Sequence, residues 1–120
     1  MSDNLTGVVV HITSGDASDW RQAFRNLSNL YSNESVPTPP GMVTVVINGE
    51  AVRFTQATSP EADQLSRIVE SGIQIKVCVN SLDRLGYGPD NLAEGIEPVS
   101  SGVAEAVQLQ QKNGVYLKLP

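Results

Sequence analysis

The stretch Gly7-Val8-Val9-Val10-His11-Ile12-Thr13-Ser14-Gly15-Asp16, running on into Ala17-Ser18-Asp19-Trp20, decides the fold class of this chain. Gly7 to Thr13 is a β-branched run, and an unbroken apolar run of that length suits a strand covered on both faces. Ser14-Gly15-Asp16 closes it. Asp16 or Ser18 then caps a helix, because a short side-chain oxygen accepts from the orphan N–H groups of the first turn. In that helix Trp20, Phe24, Leu27 and Tyr31 recur at spacings of four, three and four, with Ala23 and Leu30 widening the stripe. Such a face packs on a sheet.

The same alternation repeats along the chain. Ser32 to Gly41 holds Pro37, Pro39 and Pro40 and reads as a surface loop. Met42 to Ile47 is a second buried strand closed by Asn48-Gly49, while Ala51 to Ala57 suits a short helix or an extended excursion. Ser59-Pro60-Glu61 reads as a helix start, with a cap, a proline at the first helical position and an acid near the positive end of the dipole. Ala62, Leu65, Ile68 and Val69 form its buried face, and Gly72 stops it. Ile73 to Val79 is the third strand. Asn80 or Ser81 caps a short helix that ends near Gly86. Ile96 to Val99 is a fourth strand, and Pro98, lacking a donor, places it at an edge or a strand end. Ser100 or Ser101 caps a last helix stopped by Gly114, and Val115 to Leu119 is a fifth strand. Strands alternating with helices through short connections imply parallel β-α-β units. The expected fold is a three-layer α/β/α sandwich with a mainly parallel five-stranded sheet.

The 120 residues fit one domain spanning 1–120. A hydrophobic fraction of 40% with 18% charged residues reads as globular rather than disordered. No apolar run approaches the ~20 residues that cross a bilayer. Met1-Ser2-Asp3-Asn4 lacks the basic start of a secretory signal, and a lone cysteine is unlike small secreted domains. The expectation is a cytoplasmic protein with no membrane association. Thirteen acidic against eight basic residues give a net charge of −5, with no Lys/Arg cluster, which argues against nucleic-acid binding.

Chemistry is sparse. In open α/β sheets ligands bind beyond the carboxyl ends of the strands, where the loops Thr13 to Asp16, Asn48 to Glu50, Cys78 to Ser81 and Val99 to Ser101 gather. Cys78 is the candidate reactive group. It precedes the helix opened by Asn80 and Ser81, whose N–H groups favour an anion, here the nucleophilic thiolate. A strand-borne cysteine also serves as a small buried hydrophobe, and alternation in Ile75-Lys76-Val77-Cys78-Val79 does not say which face it meets. His11 is the only histidine. Within a β-branched run it reads as a core or sheet-face residue with a satisfied hydrogen bond, or as a base or anion contact if near the rim. One Cys and one His make no zinc spacing, and neither a phosphate-binding loop nor a nucleophile-elbow motif occurs, so no metal and no cofactor are expected.

Val9-Val10-His11-Ile12-Thr13-Ser14-Gly15-Asp16 with Trp20, then Asn48-Gly49, then Val77-Cys78-Val79-Asn80-Ser81-Leu82, and finally Pro98-Val99-Ser100-Ser101-Gly102 resemble the DsrE/DsrF-like family. The resemblance runs nearly end to end. It implies the layered fold above, assembly into homo-oligomers (trimers or hexamers), and a sulfur carrier in which Cys78 takes up a persulfide. Asn80 and Ser81 would then stabilise the anion, with His11 and Gly49 as pocket walls. The proline-rich 36–41 loop and the 51–57 excursion depart from the pattern. With no second cysteine, sulfur must come from and leave to partner proteins or small persulfides. The alternative is a non-catalytic oligomeric module that binds a small anion or a partner protein at the loop rim, with Cys78 structural. A third reading is a redox-sensing thiol that forms mixed disulfides.

Overall fold

The computed structural model describes residues 7–36, 38–112 and 114–120. Met1 to Asn4, read above for a signal, and Pro37 of the loop lie outside the described residues. Strands and helices alternate: β1 (Val8–Ile12), α1 (Ala17–Ser32), β2 (Val43–Ile47), α2 (Ala62–Glu70), β3 (Gln74–Cys78), α3 (Val79–Leu85), β4 (Glu97–Val99), α4 (Gly102–Gln111) and β5 (Val115–Leu119). The strands form one sheet in the order β4-β3-β2-β1-β5, and all four pairings are parallel. Pro98 lies on the edge strand β4, where a missing donor costs no ladder bond.

This order distributes the helices unevenly. The chain steps in one direction from β1 to β4, so right-handed crossovers put α1, α2 and α3 on one face. The return from β4 to the far edge carries α4 across the other. The first face holds the main core, in which Trp20, Leu27, Leu65 and Leu82 meet Val10, Ile12, Val45, Ile75 and Val77. The second holds a smaller apolar cluster of Val9, Val46 and Ala106, with Leu109 packed against it. Residues paired in register share a face, so this side also carries His11 beside Val46, Lys118 beside His11, Lys76 beside Val46, and Cys78 beside Val99. Among the described residues a single helix therefore covers a sheet face rich in polar groups, and Cys78 is on that face.

Local signals explain most boundaries. The Asp16 carboxylate accepts from the N–H groups of Ser18 (2.7 Å) and Asp19 (3.3 Å), capping α1. Gly86, at φ 81°, ends α3 through its N–H to the Asp83 carbonyl, a conformation that disfavours a side chain. The ambiguous 51–57 stretch is a 3₁₀ helix over Gly49–Thr55 that buries Ala51, Val52 and Phe54. Two starts differ from expectation. The second helix begins at Ala62, not at Pro60, because Ser59 closes a tight turn first: its hydroxyl accepts from the Glu61 N–H (3.0 Å) and donates to the Glu61 carboxylate (2.8 Å). Helix α3 begins at Val79, ahead of the expected caps Asn80 and Ser81.

Candidate functional site

The four loops at the carboxyl ends of the strands are joined by contacts. The Ala51 N–H donates to the Thr13 carbonyl (3.2 Å) and the Gly49 N–H to the Ser81 hydroxyl (2.9 Å). Gly49 takes a left-handed φ of 67°, and a Cβ there would come within 3.3 Å of the Thr13 carbonyl oxygen, so the turn after β2 suits glycine. Gly102 opens α4 against the sheet. A Cβ on it would sit 3.1 Å from the Asn48 Cβ, 3.2 Å from the Cys78 Cβ and 3.3 Å from a Val46 methyl. The last helix can start this close to Cys78 because position 102 has no side chain.

Cys78 does not precede a capped helix; it is the cap. Helix α3 starts at Val79, and the Cys78 Sγ accepts from the Ser81 N–H at 3.4 Å. Asn80 and Ser81, expected as caps, lie inside the first turn, because the chain leaves the sheet one residue earlier than the apolar run suggests. Burial is the largest influence on the thiol and pushes its pKa up. The Ser81 hydroxyl, then the backbone N–H groups of Gly102, Ser81 and Asn80, together outweigh it, so the pKa lies below that of an ordinary thiol. The direction of the Ser81 hydroxyl follows from its other bond. Its oxygen accepts from Gly49, which leaves its proton free for the sulfur. Donors from α3 and from the start of α4 thus converge on one sulfur. Cys78 is nonetheless 5% exposed, and neither of two clefts of about 360 and 370 Å³ is lined by it. One of these lies between α1 and α2, the other along α4.

His11 stands on the α4 face of β1. Its Nε2 bonds the Asn48 side-chain oxygen, and its Nδ1 bonds the Tyr116 hydroxyl at 2.6 Å. The structure brings Cys78, Ser81 and Gly49 into direct contact. Asn80 contributes its N–H while its side chain is exposed, and His11 reaches the group only through Asn48. Asn48, Gly102 and Tyr116 were not singled out from the sequence as site residues. The sequence places Asn48-Gly49 and Ser101 in loops at the same rim, with Gly49 as a pocket wall, but nothing local shows which of their atoms meet Cys78. Among the described residues no group of three His, Cys, Asp or Glu side chains could hold a metal ion, and no helix is long and apolar enough to cross a membrane.

A layered α/β protein with an all-parallel sheet and a donor-ringed cysteine at the end of its third strand is thereby defined. The chain belongs to the DsrE/DsrF-like family, whose model matches residues 8–119. It is similar in structure to MTH1491 from Methanobacterium thermoautotrophicum, a protein described as of unknown function. The TM-score is 0.82 at 30% identity, over 94% of this chain and 98% of that one. It shares its fold with the ychN protein from E. coli, with a TM-score of 0.67 at 15% identity over 94% and 99% of the two chains. Comparison with curated proteins gives no match.

Proposed function

We propose that the chain is a sulfur carrier that acts as one domain over residues 1–120, in the cytoplasm and as a homo-oligomer, with Cys78 as the carrying atom. The observation behind this reading is the set of donors on the Cys78 sulfur, which favours the thiolate despite burial. The thiolate attacks the outer sulfur of a donor persulfide, R–S–SH. A new S–S bond forms to Cys78, the donor S–S bond breaks, and its electron pair leaves on R–S⁻, so the step is redox-neutral. An acceptor thiolate then attacks the outer sulfur, and Cys78 leaves as thiolate. Asn80, Ser81 and Gly102 hold the negative charge in both directions. Family membership supports the same reading.

Intact mass after incubation with polysulfide tests it. Wild type should gain one sulfur per chain and Cys78→Ser none; equal labelling of the two overturns the proposal.

The low exposure of Cys78 favours a second reading, in which the sulfur serves only as the cap of α3 within an oligomeric binding module. That reading expects slow alkylation, typical of a buried thiol, and full biological activity in Cys78→Ala.

A further inference from the structure

The hydrogen bonds at the rim continue past Ser81. The Gly49 N–H that engages the Ser81 hydroxyl follows Asn48, whose side-chain oxygen faces His11 Nε2. An amide oxygen only accepts, so Nε2 carries a ring proton toward Asn48, while Nδ1 shares a hydrogen bond with the Tyr116 hydroxyl. Asn48 stands at the N-cap of the Gly49–Thr55 3₁₀ helix yet makes no capping bond. Asparagine is favoured there for capping; here its side chain is given to His11 instead. The Asn48 N–H donates to the Ile12 carbonyl at 3.2 Å, so the residue is held from both sides of β1's end. One unbroken path results, from Tyr116 through His11, Asn48, Gly49 and Ser81 to Cys78.

We propose that His11 is a positioning residue for the Cys78 site, acting through Asn48 to keep the Gly49 N–H on the Ser81 hydroxyl and so to hold Ser81, whose backbone N–H donates to the sulfur. This role rests on Cys78 being the reactive atom, but its readout, the titration of the thiol, does not require sulfur uptake. His11 touches neither the sulfur nor a donor molecule. Its effect is to fix the turn after β2, so that the Ser81 hydroxyl stays engaged by the Gly49 N–H and the Ser81 N–H stays on the sulfur at 3.4 Å.

The test is the rate of Cys78 alkylation against pH in the full chain. His11→Leu should raise the midpoint by about one pH unit, lowering the neutral-pH rate about tenfold. His11→Gln keeps an N–H donor for Asn48 and should restore the rate to within about twofold. Asn48→Ala should match His11→Leu, and the double variant should shift no further, as expected of two residues in series. Tyr116→Phe keeps the Asn48 bond and should leave the midpoint unchanged. Unshifted titration in His11→Leu and Asn48→Ala, additive shifts in the double variant, or an equal shift in Tyr116→Phe each overturns the role. Should His11→Leu not fold, the contrast between Asn48→Ala (shifted) and His11→Gln (unshifted) decides it. A shifted thiol that accepts no sulfur leaves the role standing and removes the carrier function; sulfur uptake with an unmoved titration does the reverse.

Discussion

Ser81 performs two tasks with one hydroxyl: it accepts from the Gly49 N–H and it lowers the pKa of the Cys78 thiol beside it. Ser81→Ala removes both. The Gly49 N–H loses its partner at a part-buried position, which costs about 1–3 kcal/mol of stability in chemical denaturation. The sulfur loses its foremost stabilising donor while burial still pushes its pKa up, so the alkylation profile should move to higher pH. A profile that stays in place would show that the backbone N–H groups alone set the thiolate. The sequence pointed to Cys78, Asn80 and Ser81 because an anion-favouring helix start is written locally. It did not reveal what Ser81 bonds, since Gly49 lies 32 positions away and only the register of β2 against β3 brings the two together.

Helix α4 is the element that closes the site, and its approach is set by a residue without a side chain. Ser101 caps it by accepting from the Ala104 N–H at 3.1 Å, and the Lys76 ammonium bonds the Glu105 carboxylate at 2.7 Å, tying the helix to β3. Gly102→Ala would place a methyl 3.1–3.3 Å from three side-chain atoms, two of them Cβ atoms that move only with their backbone. The helix start must retreat, at a cost of about 1–3 kcal/mol. Its N–H then draws away from the Cys78 sulfur, and a thiol pKa above that of wild type should accompany the lost stability. Destabilisation without any change in the thiol would show that Gly102 serves packing alone. At this scale the sequence was informative where pattern and cap agree, as in α1, where the Trp20 stripe and Asp16 coincide. It misled at α2 and α3. Ser59-Pro60-Glu61 satisfies the rules for a helix start but forms a turn, and a sulfur atom took the capping place assigned to oxygen or amide groups.

Among the described residues the sheet order leaves one face covered by α4 alone, and that face carries the candidate site. Alternating elements made the sandwich legible, but the 3:1 division of helices follows from strand order, which periodicity does not encode. Val103 (58% exposed) and Val107 (47%) stand one helical turn apart on α4, turned away from the buried Gly102 and Ala106. Tyr116 (41%) is on the same side of the sheet, since it pairs with Val9. Single exposed apolar residues are ordinary, but a pair on the one helix covering a polar face is a natural seat for the inferred second copy. Burying each valine contributes about 1.5 kcal/mol or more, so Val103→Asp with Val107→Lys should weaken assembly well over tenfold. Sedimentation of wild type should show an oligomer that the double variant converts to monomer, with its far-ultraviolet dichroism retained. A wild type that sediments as a monomer at micromolar concentration removes the assembly. An oligomer untouched by the two substitutions moves the interface to another face. If the assembly forms through α4, alkylation of Cys78 should also differ between the two species, because α4 supplies the Gly102 N–H to the sulfur and any copy docked on that helix lies beside the site.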